Sequence, residues 1–180
     1  MSTMRESKKT FVRWCLIGIL LISAWLLVSA TQAEAKTMKF KYTSQLTRVE
    51  LAPVPDVEGH VVILYVRRGV AIFENEVAPF MTMGTADLVK RLGPFQGYSQ
   101  ITFKDGSTFN YNYTGALMLA PGAKLRSYKG KGKFIKGTGR FEGIKGEVSF
   151  TGRYITPFTK DKTKGDNWME VTATYTVPSK

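Results

Sequence analysis

"GTGRFEGIKG", Gly137 to Gly146, puts four glycines into ten residues and interleaves them with Lys, Arg, one Glu and one Phe. Two kinds of phosphate site use runs of this sort. A phosphate loop needs G-x-x-x-x-G-K-[ST] between a strand and a helix, and a dinucleotide fingerprint needs G-x-G-x-x-G in the same setting. Here Gly137 and Gly139 are followed by Gly143, one residue too late, and Glu147 to Thr156 continue with the alternation of a strand. The run therefore reads as a corner between strands, with glycines where Cβ atoms would clash and Phe141 and Ile144 as apolar plugs.

Outward from that corner the chain shows period-2 patterns and almost no helical ones. Met38, Phe40 and Tyr42 open a first strand that runs toward Leu51, and "APVPDVEG" (Ala52 to Gly59) breaks it. His60 to Val66 is a nearly continuous apolar run, and Val70 to Ala78 alternates, which predicts a hairpin turning near Arg68-Gly69. Pro79 to Phe95 is less regular and reads as a loop over one end of the fold, with one helical turn at Asp87 to Leu92.

Strands resume at Gly97 to Phe103, turn at Asp105-Gly106 as a type I′ hairpin would, and return through Phe109 to Leu119. Lys124 to Ile135, Glu147 to Thr156 and Trp168 to Val177 complete about eight strands with short connections. The absence of crossover helices predicts antiparallel pairing in a barrel or sandwich, and closure into a barrel removes exposed edges. Alternation points Phe109, Tyr111, Tyr113, Leu117 and Leu119 inward on one strand, and Met169, Val171, Ala173, Tyr175 and Val177 on the last.

The N-terminus has the parts of an export signal. Arg5, Lys8, Lys9 and Arg13 make a basic leader, Trp14 to Ala30 is an apolar run, and Ala33-Glu34-Ala35 offers an A-x-A cleavage site. Cleavage after Ala35 leaves residues 36–180 as one barrel domain, periplasmic or secreted; an uncleaved membrane anchor is the alternative. The chain's one cysteine, Cys15, lies in the leader, so the mature chain has no disulfide, thiol nucleophile or thiolate metal ligand. No metal site and no cofactor is expected.

The leader takes four Lys/Arg and two acidic residues with it, leaving 22 basic against 12 acidic residues from the 26 and 14 of the whole chain. Twelve of the basic residues fall between Lys124 and Lys164. Such a patch steers anions, which for an exported protein means an anionic membrane surface, polysaccharide or acidic small molecules. Interleaved aromatics superficially suit a nucleic-acid groove, but export and strand spacing argue against that partner. A solvated face that aids solubility is the plainer reading.

His60 is the only histidine, so no multi-histidine metal site or relay exists, and its place at a strand start suits a strand-end hydrogen bond. Glu74 and Glu76 share one face of the expected second hairpin strand. Pointed inward, Glu76 is a buried carboxylate with a raised pKa and an acid/base role; pointed outward, it is an ordinary solvated charge. Asn112-Tyr113-Thr114 fits the N-glycosylation pattern but lies within a strand.

"GHVVILYVRRGVAIFENEVA" (Gly59 to Ala78), "YSQITFKDGSTF" (Tyr98 to Phe109) and "GTGRFEGIKGEVSFTG" (Gly137 to Gly152), followed by "ATYTV" (Ala173 to Val177), resemble the allene oxide cyclase-like barrels, a group related in fold to plant dirigent proteins. The run Gly137, Gly139, Phe141, Gly143 and Gly146 carries the resemblance most specifically. It implies an eight-stranded antiparallel barrel with an apolar cavity, often assembled into homo-oligomers.

Three functions follow as expectations. One is an exported barrel that binds a small apolar or amphipathic, anionic molecule, with Tyr111, Tyr113 and Tyr175 toward the ligand and Lys136, Arg140 and Lys145 as a basic rim. Another is an isomerase or cyclase using Glu76, Tyr111 or Tyr113. The third is a non-enzymatic structural or interaction role at the envelope.

Overall fold

The computed structural model describes residues 34–157 and 165–178. The leader lies outside the described residues apart from Glu34 and Ala35, and so do Lys160, Lys162 and Lys164. Eight strands follow one another: β1 (Lys36–Pro53), β2 (His60–Ile72), β3 (Val77–Val89), β4 (Gly93–Thr102), β5 (Thr108–Met118), β6 (Ser127–Thr138), β7 (Lys145–Tyr154) and β8 (Asn167–Thr176). Each pairs antiparallel with the next, and β8 pairs with β1, closing the barrel. The one helical piece among the described residues is a single 3-10 turn, Gly139–Phe141.

Two expectations fail together, and their errors cancel in the strand count. Arg68-Gly69 is not a turn: β2 runs on to Ile72, and the chain reverses at residues 73–76, where Phe73 N donates to Glu76 O at 2.9 Å. Gly69 is there because a Cβ would lie 1.9 Å from Thr43 O on β1. The supposed loop Pro79 to Phe95 is β3 and the start of β4, and no helical turn forms at Asp87 to Leu92. Its inward positions Ala78, Phe80, Thr82, Ala86 and Leu88 are all buried, a strict period of two that the threonines, methionines and Gly84 between them disguise.

Two turns have unexpected chemistry. Lys90 and Arg91 join β3 to β4 with φ of 50° and 71°, the positive values of a type I′ turn, although neither is Asn or Gly. At Asp105-Gly106 only Gly106 has positive φ, and Gly106 N bonds Phe103 O while Phe103 N bonds Ser107 O. That is a three-residue loop with glycine in the left-handed position, not the two-residue type I′ turn.

The opening decapeptide is a corner, between β6 and β7. Gly139 has φ 59°, and a Cβ on it would meet Ser107 Oγ at 2.3 Å, so glycine alone fits. Phe141 and Ile144 are buried beneath it. Phe141 joins Phe103 and Phe109 at centroid distances of 5.0 and 5.1 Å, and Phe40, Phe73 and Phe134 extend the cluster. This end of the barrel is plugged by aromatic rings.

At the other end the lumen stays open, because rings there lie flat against neighbouring strands. Inward glycines make room for them: a Cβ on Gly130 would strike the Phe150 ring at 2.3 Å, and one on Gly97 the Tyr113 hydroxyl at 2.4 Å. In the "KGKGKF" of β6 the glycines face in while Lys129, Lys131 and Lys133 face out.

Candidate functional site

The open half of the lumen is a cavity of about 380 Å³. That is at the lower end of the roughly 300–1,000 Å³ typical of small-molecule sites. Its neck is apolar, with Val49, Leu51, Val61, Ile63, Leu88 and Leu117. Below the neck Phe95, Phe150, Tyr65 and Tyr113 form walls, and Tyr42, Tyr111 and Met169 lie deeper.

A polar belt of buried side chains, Ser44, Arg67, Thr82, Ser99 and Asn167, meets the cavity through Arg67, Thr82 and Asn167. Arg67 is only 5% exposed. It is held by neutral oxygens: Nε donates to Ser44 Oγ at 3.1 Å, and Nη2 donates to Ser44 O at 3.0 Å and to Gly165 O. Ser44 Oγ donates to Asn167 Oδ1 at 2.7 Å, and Asn167 Nδ2 donates to the Tyr128 hydroxyl at 2.7 Å. A second chain runs from Tyr65 OH to Tyr113 OH (3.0 Å) to Thr82 Oγ1 (2.8 Å), which ends on Tyr98 O (3.0 Å). Among the described residues Arg67 has no carboxylate partner, and no Asp or Glu lines the cavity.

Two further arginines, Arg91 and Arg126, stand at the mouth. Arg126 Nη1 donates to Arg91 O at 3.0 Å, tying the strained β3–β4 turn to the start of β6. Burial, with the like charge of Arg91 adding to it, lowers the pKa of Arg126 from its usual value. Burial pushes the Tyr42, Tyr65, Tyr111, Tyr113 and Tyr128 hydroxyls above the ordinary tyrosine value, so at neutral pH they are protonated and serve as hydrogen-bond groups rather than as bases.

Of the residues singled out in the sequence, Tyr111 and Tyr113 line this cavity. Tyr175 does not: it is half-buried near the plugged end, 6.2 Å from the Phe134 ring. Glu76 lies in the β2–β3 turn, paired with Arg140, at the plugged end and away from the cavity. The strand face it was expected to share with Glu74 does not exist, because the strand ends at Ile72. Lys136, Arg140 and Lys145 are exposed at that same closed end, so they rim the plug and not the mouth. Arg140 lies 4.3 Å from the Phe103 centroid and caps the plug. Leu119, expected inward, is exposed just past the end of β5.

Arg67 was missed as a site residue because Arg-Arg-Gly reads as a turn. Its phase carried the signal, since it falls in step with Val61, Ile63, Tyr65 and Ala71. His60 has the strand-end role expected of it: Nδ1 meets Asp56 Oδ1 at 2.5 Å and Nε2 meets Asp87 Oδ1 at 2.6 Å. Among the described residues no three His, Cys, Asp or Glu side chains gather as metal ligands.

No family model matches the chain, and no curated protein matches it by sequence. Among solved structures it is similar to a conserved protein of unknown function from Rhodopseudomonas palustris, with 10% identity, 81% of this chain and 99% of that chain covered, and a TM-score of 0.53. The pterocarpan synthase dirigent protein GePTS1 aligns with 14% identity, coverage of 83% and 90%, and a TM-score of 0.45. At such identities the likeness to the bacterial protein is one of fold: the chain is an all-β, eight-stranded antiparallel closed barrel.

Proposed function

We propose that this protein is an exported barrel that receives one small amphipathic, anionic molecule in its lumen. The observation that carries the reading is a cavity of about 380 Å³ with apolar walls and three arginines. A site with cationic groups and low-dielectric walls raises the local concentration of anions. Tyr111 and Tyr113 offer hydroxyls to the ligand. A cyclase or isomerase of the allene oxide cyclase or dirigent type is the second reading, and within it the hydroxyl chain through Tyr113 supplies the hydrogen bonds that position a substrate.

The test is native mass spectrometry with a panel of apolar acids, phenols and neutral analogues. One-to-one, saturable binding is expected, and Ala86→Phe, which grows a ring from a buried cavity wall, abolishes it without unfolding the barrel. Binding that survives that substitution, or a panel with no ligand at all, overturns the reading.

The outer surface supports two partner proposals. Val62, Leu64, Val70 and Ile72 on β2, with Val77 and Met83 on β3 and Tyr98 on β4, are exposed on paired strands, Ile72 opposite Val77 and Met83 opposite Tyr98. An apolar patch of this kind suits contact with a second copy. Lys129, Lys131 and Lys133 form a basic row on β6 suited to an anionic membrane surface or polysaccharide.

A further inference from the structure

The cavity has two places where an anion could sit, the rim at Arg91 and Arg126 and the belt at Arg67. They imply opposite orientations of the ligand. At the rim Arg91 is exposed to water, where screening weakens any ion pair, and Arg126 is half-buried over the Tyr154 ring. In the belt, Arg67 is a buried cation whose partners among the described residues are neutral oxygens, an arrangement that leaves its charge uncompensated by them in a low-dielectric setting.

The hydrogen-bond directions leave specific donors for the missing charge. Nε and Nη2 of Arg67 are committed to Ser44 and Gly165, while Nη1 makes no hydrogen bond among the described residues. The one fully enclosed side-chain polar atom without a partner among those residues is Asn110 Oδ1, so Arg67 Nη1 is not fully enclosed, and Arg67 is one of the residues that line the cavity. The Tyr128 hydroxyl accepts from Asn167 Nδ2 and donates its own proton to no acceptor among the described residues, and Tyr128 lines the same cavity. Ser44 and Asn167 fix both donors from behind. One guanidinium balances one negative charge, which favours a monoanion over a phosphate dianion, and a carboxylate accepts from two such donors at once.

We propose that the ligand enters head first, as an apolar monocarboxylate whose carboxylate is bound by Arg67 Nη1 and the Tyr128 hydroxyl while its hydrocarbon body fills the neck. This rests on the lumen being a ligand site at all. In it, Arg67 decides specificity for the acid, and Arg91 and Arg126 serve capture at the mouth.

The experiment is a calorimetric titration of the full mature chain with octanoate, 3-phenylpropanoate and 2-naphthylacetate, each beside its methyl ester. Wild-type protein is expected to prefer the acid by about ten-fold or more, because the ester leaves the buried donors without their charge partner. Raising salt from about 50 to about 500 mM is expected to change acid affinity little, since a buried pair is poorly screened. Arg67→Met and Tyr128→Phe should each erode the acid preference, while Arg91→Gln with Arg126→Gln should slow association and leave the preference in place.

Equal binding of acid and ester overturns the proposal. So does an acid preference that salt abolishes, or that the rim variants remove; either result puts the head group at the mouth and leaves the lumen as the binding site. If no acid or ester binds, the ligand-site reading itself fails. The wild-type comparisons stand even where Arg67→Met does not fold.

Discussion

At the scale of single residues, the lumen is shaped by rings lying over glycines. Gly130 shows how tightly: a Cβ there would sit 2.3 Å from both the Phe150 ring and Thr114 O, and the backbone oxygen has nowhere to go. Gly130→Ala is expected to destabilise the barrel by about 1–3 kcal/mol, the usual cost of overpacking, read as a fall in the midpoint of denaturant unfolding. An unchanged midpoint would mean that the ring and strand yield freely. Phe141 tests the opposite fault. Phe141→Ala leaves a hole in the plug and should cost about 3–5 kcal/mol. Tyr111 and Tyr113 were legible as inward residues from strand alternation alone. Arg67 was legible only in its phase; that a cation could be buried there depends on Ser44 and Asn167, which lie 23 and 100 residues away along the sequence and meet it only once the barrel closes.

At the scale of elements, β3 is the strand that sequence patterning hid, and its two ends carry the testable features. The turn after it holds Lys90 and Arg91 at positive φ, which costs about 1–2 kcal/mol per non-glycine residue. Replacing the pair with Asn-Gly is expected to raise the thermal midpoint while removing two positive charges, that of Arg91 at the rim among them, so ligand association slows as stability grows. A lower midpoint would show that Lys90 and Arg91 are held by contacts stronger than their strain. Near the same end, His60 clips the β1–β2 loop to β3 through Asp56 and Asp87. Hydrogen bonds to Asp56 and then Asp87 raise the His60 pKa above 6.5, and the bond from His60 lowers the Asp56 pKa below 3.8. A raised folded-state pKa contributes stability that is present below the unfolded value and lost as pH rises through the folded one. Thermal stability should therefore fall more in wild type than in His60→Gln as pH rises above the ordinary histidine value of about 6.5. Parallel pH profiles for the two proteins would contradict the clip.

At the scale of the whole molecule, short connections and missing crossover helices narrowed the fold to an antiparallel barrel or sandwich, and the family resemblance pointed to the eight-stranded barrel, whose closure leaves no open edge. Which end stays open was not readable. That depends on cross-strand neighbours such as Gly97 under Tyr113, and on the Phe40, Phe73, Phe103, Phe109 and Phe141 cluster assembled from β1, the β2–β3 turn, the β4–β5 turn, β5 and the β6–β7 corner. The same uncertainty sent the expected site residues Glu76, Lys136, Arg140 and Lys145 to the plugged end, opposite the cavity. The lumen site is tested most directly by methyl-resolved NMR of residues 36–180 titrated with 3-phenylpropanoate. Saturable shifts are predicted at Ile63, Leu88, Leu117 and Met169 of the open half, with none at Val148 and Val171 beside the plug or at Leu64 and Val70 on the outer face. Shifts confined to the outer face, or none that saturate, would contradict a lumen built to hold a small anionic ligand.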